Sequence, residues 1–222
     1  MLSAQEKTEL TTLDKRVEKE TLGKLRANRT IDFAVRFAAF AQAEVDRARA
    51  HVVSKGVEFD CKKGCAYCCH FRVESLPQET FRIAREIRSR GDAGPVIAAL
   101  EAFGQHVNGL KRDRNAGPCP FLVENACSIY AVRPVMCRKC NSLDVATCKD
   151  PDATVLESAE LVYKTGAILQ GTTVAYEKSK LTAAPHELTR GVLLALTDPT
   201  AEQRWLRGED VFAIPPGSVE AP

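Results

Sequence analysis

Hydrophobic spacing sets the first boundary in this chain. Residues 5–28 scatter a few leucines among Lys, Glu and Arg, which reads as a solvated helix or a mobile arm ending near Thr30. Over 31–53 the pattern turns periodic, with Phe33, Phe37, Phe40, Ala41, Val45, Ala48 and Val52 on one face at steps of three and four. That is the stripe of an amphipathic helix, and Gly56 closes it. Ser75 with Gln78 three residues later predicts a capping box, Pro77 fits a first turn, and Phe81, Ala84 and Ile87 carry the stripe to Gly91. Pro95 opens another helix with Val96, Leu100, Phe103, Val107 and Leu110 on one side.

Over 115–151 cysteine, proline and short apolar runs replace the stripe, so loops and short helical turns are expected there. Residues 153–181 read as helix again, although Gly166 and Gly171 each cost about 1 kcal/mol relative to alanine. Pro185 starts a helix through Leu196, Asp198 with Pro199 caps a last one reaching Gly208, and Trp205 is placed to anchor it to the core. No stretch alternates as a strand would. The predicted fold is mainly α: a helical core with two cysteine-rich loop segments converging on a metal centre. The expected division is a charged helix or arm at 1–29, one helical domain at 30–212 with its metal-binding region at 56–150, and an irregular tail at 213–222.

Composition narrows the function classes. The chain has 222 residues, 45% of them apolar, which suffices for one substantial core with or without a metal-stapled lobe. Its 31 basic and 29 acidic residues leave a net charge of +2, so no overall field draws it to nucleic acid or an anionic membrane. The first residues are polar, and no apolar run is long enough to span a bilayer, so a cytoplasmic location is expected. Reducing conditions there keep thiols free, and nine cysteines then point to metal or catalytic chemistry in place of disulfides.

The cysteines fall in two groups. Cys61, Cys65, Cys68 and Cys69 lie within nine residues, with Gly64 freeing the backbone to fold round an ion. Cys65 and Cys68 have the two-residue spacer that lets two sulfurs grip one metal, whereas the adjacent Cys68 and Cys69 are expected to diverge. Cys119, Cys127, Cys137, Cys140 and Cys148 form the second group, and Cys137 with Cys140 repeats the gripping spacer. A helical hairpin over 75–111 would return the chain to the first group. Thiolates select zinc, copper(I) or iron–sulfur clusters over calcium and magnesium. His70 is a further candidate ligand, while His51, His106 and His186 sit in helical stretches and read as ordinary surface or core histidines. Lys62, Lys63, Arg72, Arg138 and Lys139 either offset thiolate charge or form a solvated face.

At these residues the sequence resembles the YkgJ-type cysteine-cluster proteins, a zinc- or iron-chelating domain. The resemblance rests on Cys61, Cys65, Cys68 and Cys69, then Cys119-Pro120, Cys127-Ser128-Ile129-Tyr130, Arg133-Pro134 and Cys137-Arg138, which spans about a third of the chain. It implies metal ligation by those seven cysteines, packing of Tyr130 near the centre and a buried structural role for Arg133. Cys140 and Cys148 fall outside the pattern; the spacer from Cys137 gives Cys140 a claim to ligation, and Cys148 reads as accessory. The cofactor is zinc or an iron–sulfur cluster, four-iron included, because four-thiolate spacing alone does not choose.

Three functions follow for testing. One is a metal-stabilised structural or interaction module, and another is an iron–sulfur redox protein with a protein or redox partner. The third is a cluster-dependent group-transfer enzyme, by a looser similarity to flagellin lysine N-methylases. No Gly-rich phosphate loop, nucleophile elbow or paired catalytic carboxylates stand in a recognisable setting.

Overall fold

The structure, a computed structural model, describes residues 2–62, 64–107, 117–150 and 152–213. Leu110 of the predicted helix opened by Pro95 and Pro215 and Pro216 of the predicted tail lie outside the described residues, as do the side chains of His106 and Val107. The fold is mainly α, as the pattern predicts. In chain order the helices are α1 (Ala4–Ala27), α2 (Ile31–Arg36), α3 (Ala38–Ser54), α4 (Pro77–Arg90), α5 (Ala93–Val107), α6 (Val135–Lys139), α7 (Ala146–Lys149), α8 (Ala159–Lys178), α9 (Leu188–Thr197) and α10 (Ala201–Leu206).

The charged N-terminal stretch is a packed helix. Ser3 caps α1 with Glu6 in a reciprocal box, its hydroxyl accepting the Glu6 N–H at 3.2 Å and the Glu6 carboxylate accepting the Ser3 N–H at 2.7 Å. One face of α1 then buries Val17, Thr21 and Leu25, and the helix lies along α8. Gly171 explains the closeness: a Cβ there would stand 2.4 Å from the Asp14 carbonyl oxygen. The glycine that weakens the helix prediction is therefore what lets two helices touch, and α8 runs unbroken through it.

The predicted helix over 31–53 is two helices. Phe37 ends α2 and begins α3, with its N–H bonded to the Phe33 carbonyl at 2.8 Å. Ala41, Val45, Ala48 and Val52 are buried as the stripe predicts, and Phe33, Phe37 and Phe40 stack in series at 5.3 and 5.2 Å. At α4 the cap is one residue later than Ser75. The Glu79 carboxylate accepts the Leu76 N–H at 3.2 Å, while Ser75 belongs to a short strand, β1 (Glu74–Ser75), and bonds to Thr80 at 2.7 Å. Gln78 is buried and takes no part in the box.

Further two-residue strands form β2 (Leu122–Val123), β3 (Ala126–Cys127) and β4 (His186–Glu187). β1 pairs antiparallel with β4, and β2 with β3. The core has a centre round Phe81, Tyr176 and Trp205, where Trp205 is fully buried and donates from Nε1 to the Thr182 carbonyl at 2.8 Å. The anchoring role expected of Trp205 is what the structure shows. A second centre joins Val17, Val45, Val52 and Ile168, and a third joins Ile83, Ile87, Leu100 and Val192. No helix among the described residues is long and apolar enough to cross a membrane.

Candidate metal centre

The first cysteine segment leaves α3 at Gly56, whose φ of +87° suits only glycine without strain. It then runs beside residues 142–145. The Asp60 N–H donates to the Ser142 carbonyl at 3.0 Å, the Asp60 carboxylate accepts the Val145 N–H at 2.9 Å, and Cys61 Sγ accepts the Ser142 N–H at 3.1 Å. Gly64, at φ +86°, reverses the chain, and the Cys65 N–H closes a turn on the Lys62 carbonyl at 3.0 Å. A single 3₁₀ turn, Tyr67–His70, carries Cys68 and Cys69. Their free thiols lie close enough for Cys69 to raise the Cys68 thiol, so the divergence expected of adjacent cysteines is not realised.

The second segment is fastened directly to the first, the Cys119 N–H donating to the Cys69 carbonyl at 2.7 Å. The β2–β3 hairpin then sets Leu122 opposite Cys127, turning through Glu124 and Asn125, both at positive φ. A two-residue turn of this kind favours asparagine, the one local signal that could have predicted the hairpin. Glu79, buried in α4, places the next cysteines: its carboxylate also accepts the Val135 N–H at 2.8 Å, at the start of the short helix that bears Cys137 and leads into Cys140. Cys148 lies on α7, which packs against the 3₁₀ turn, with Lys149 Nζ 5.7 Å from the centre of the Tyr67 ring. The two groups thus meet, although residues 108–111 of the predicted connecting hairpin lie outside the described residues.

Cys68 is the common neighbour. It lies within electrostatic range of Cys61, Cys119, Cys127, Cys137 and Cys140. Burial pushes the Cys119 thiol up to about 11 and the Cys140 thiol up to about 12, and raises Cys61, Cys127 and Cys137 as well. The Cys68 thiol is raised further, first by Cys69 and then by burial. These thiols hold their protons at neutral pH unless a cation stands beside them.

Cys61, Cys65, Cys68, Cys140 and Cys148 line a cavity of about 280 Å³, together with Lys139, Ser142 and Glu157. Cys69, Cys119, Cys127 and Cys137 are not part of its wall. The thiols are neighbours and not a closed shell, since no three His, Cys, Asp or Glu side chains among the described residues stand in a metal-holding group. The donor chemistry fits zinc or iron nonetheless: nine free thiols on two segments held together by backbone bonds, with burial that disfavours lone thiolates.

The basic residues take different places. Arg133 is not buried: its guanidinium stacks 3.6 Å over the ring of Tyr130, which is 63% exposed and so not packed at the centre. The buried arginine is Arg138, which bonds to Asp46 at 2.6 Å and to the carbonyls of Arg133 and Ala131. Lys139 reaches Glu157 at 3.2 Å in the cavity wall, while Lys63 lies outside the described residues. His70 Nδ1 faces the Ala66 carbonyl at 3.2 Å, His51 is exposed, and His186 is buried between Thr80 and Phe212.

With this geometry in view, residues 60–157 match the CxxCxxCC family model, described as "Putative zinc- or iron-chelating domain". It is the family that the ordered cysteines resemble, and the matched span takes in Cys140 and Cys148 besides the seven of the motif. No curated protein and no solved structure matches the chain.

Proposed function

We propose that the 60–157 segment holds zinc or iron through thiolates drawn from both cysteine groups, and that the bound metal fastens the cysteine loops to the helical body. The observation that carries this reading is the meeting of the two groups, through the Cys119 to Cys69 and Ser142 to Cys61 hydrogen bonds, around the common neighbour Cys68. A bound cation supplies the positive charge that lets buried thiols release their protons. The chain's own part is to position the sulfurs: Glu79 fixes the helix of Cys137, Ser142 donates to Cys61, and Arg138 with Asn141 ties the segment to α3. Cys61, Cys65, Cys68, Cys69, Cys119, Cys127, Cys137 and Cys140 form the ligand pool on this reading.

The test is elemental analysis and a visible spectrum of protein purified without oxygen. Colourless protein with stoichiometric zinc supports a structural ion, and brown protein with iron and acid-labile sulfide supports a cluster. Protein that binds neither metal through its cysteines, with all thiols free to alkylation, would end the reading.

A further inference from the structure

The nine thiols divide by what they face. Cys61, Cys65, Cys140 and Cys148 stand in the cavity wall, whereas Cys69, Cys119, Cys127 and Cys137 stand outside it. Cys68 belongs to both neighbourhoods, lining the cavity and acting electrostatically on Cys119, Cys127 and Cys137. Two of the cysteines outside the wall are joined directly, the Cys119 N–H donating to the Cys69 carbonyl at 2.7 Å.

Resting on the metal-binding reading, we propose that the chain builds two thiolate sites: an outer one at the cavity from Cys61, Cys65, Cys140 and Cys148, and an inner one from Cys69, Cys119, Cys127 and Cys137, with Cys68 between them. Each set supplies four sulfurs, the number that closes a tetrahedral zinc shell. A single tetrahedral zinc would take only four of these eight sulfurs.

Cys148 is the residue on which the proposal turns, because the sequence pattern leaves it aside. Its loop is built to hold it at the cavity. Ser142 bridges to Glu157 across the loop, Thr147 Oγ1 accepts the Leu156 N–H at 3.1 Å, and the Asp60 carboxylate takes the Val145 N–H at 2.9 Å. Asp60 is also the neighbour of Cys61, so one anchor sets two of the four outer sulfurs. Lys139 stands in the same wall, ion-paired with Glu157 at 3.2 Å.

The test uses the full chain, stripped of metal under anaerobic reducing conditions and titrated with Zn²⁺ alone. Native mass spectrometry counts the ions, and alkylation mapped by cysteine shows which thiols are covered. Wild type should bind two zinc ions. Cys148→Ser should lose one of them and expose Cys61, Cys65 and Cys140 to alkylation, leaving Cys119, Cys127 and Cys137 protected; Cys127→Ser should show the reverse. One zinc in the wild type, or two retained in Cys148→Ser, would overturn the partition while leaving metal binding intact. No zinc in the wild type would overturn the two zinc sites and leave the metal-binding reading to stand or fall on iron. Should either variant prove insoluble, chelator release from wild type decides: two phases that free the two named sets support the proposal, and one phase freeing all thiols together rejects it.

Discussion

The helical body and the cysteine-bearing stretches 57–75 and 117–157 are held by different forces. In the body, α1 and α8 run for 24 and 20 residues, and Val17 of α1 and Leu161 and Ile168 of α8 pack into one core with Ala41, Val45, Ala48 and Val52 of α3. In the cysteine stretches no described helix exceeds five residues, and the strands are two residues long. Their apolar anchors do not form a core of their own. Phe121, Ile129 and Val132 enter the core of α4, α5 and α9, and Val135 enters that of α1, α3 and α8. Short elements gain little from helical cooperativity. The cysteine stretches therefore depend on docking, on turn and loop hydrogen bonds, and, by the proposal above, on metal.

Metal removal should separate the two regions most sharply. If the ion supplies the missing cohesion, amide exchange in 57–70 and 117–157 should rise steeply in the apoprotein while α1, α3 and α8 stay protected. Equal exchange in apo and loaded protein would show that docking alone holds the cysteine stretches. The opposite perturbation is Trp205→Ala, which opens a cavity beside Phe81 and Tyr176. A loss of about 3–5 kcal/mol is expected in denaturant unfolding. Metal content in the folded fraction should be unchanged, and its loss would mean that the two regions are one cooperative unit.

The same contrast explains what the sequence disclosed. Helices in the body were legible because burial imposes a period of 3.6, and the stripe of Ala41, Val45, Ala48 and Val52 is a direct record of it. Gly171 misled, because a glycine that admits a neighbouring backbone carries the same local signal as one that breaks a helix. Around the cysteines, spacing marked the donors and not their grouping. Cys148 sits eight residues past Cys140 and reads as accessory, yet the bridge between Ser142 and Glu157 folds its loop back to the cavity. Tyr130 and Arg133 match a motif that says nothing of burial, and the neighbouring Arg138 is the one that goes inside.

Acid and alkali should also act on different regions. His186, packed against Phe212 and bonded to Thr80, is held down to about 4 from its ordinary 6.5 by burial. It is neutral in the fold, so stability is intact above about pH 6.5 and is lost as pH falls toward 4 and the unfolded chain takes up the proton. In the apoprotein, Cys119 and Cys140 are displaced upward from 9.0 to about 11 and about 12 by burial. There the unfolded chain ionises first, so stability is intact below pH 9 and is lost as pH rises through 11 and 12. For His186 or Cys119 the full effect is on the order of 3 kcal/mol. Denaturant titrations across pH, with exchange read by region, should find acid loosening near α9 and alkaline loosening near Cys119. Metal loading should abolish the alkaline loss, because ligated thiols are already deprotonated. An alkaline loss that persists in the loaded protein would place these thiols outside the ligand set.

The smallest effect is the finest probe of whether the regions are energetically separate. Gly166 lies on an exposed position of α8, and a Cβ there meets nothing within 4 Å. Gly171, one and a half turns along, would drive its Cβ into the Asp14 carbonyl. Gly166→Ala therefore gains helix propensity with no steric cost, worth about 1 kcal/mol, while Gly171→Ala must push α1 away and destabilise. For a chain of this length, 1 kcal/mol corresponds to a rise of about 2–4 °C in Tm. In the apoprotein, exchange should slow in α1, α3 and α8 and stay unchanged in 117–157, because the gain acts on a helix whose unfolding does not limit opening of the cysteine loops. If protection rises equally in both regions, the loops open only when α8 does, and the distinction between a self-supporting body and a metal-dependent lobe fails.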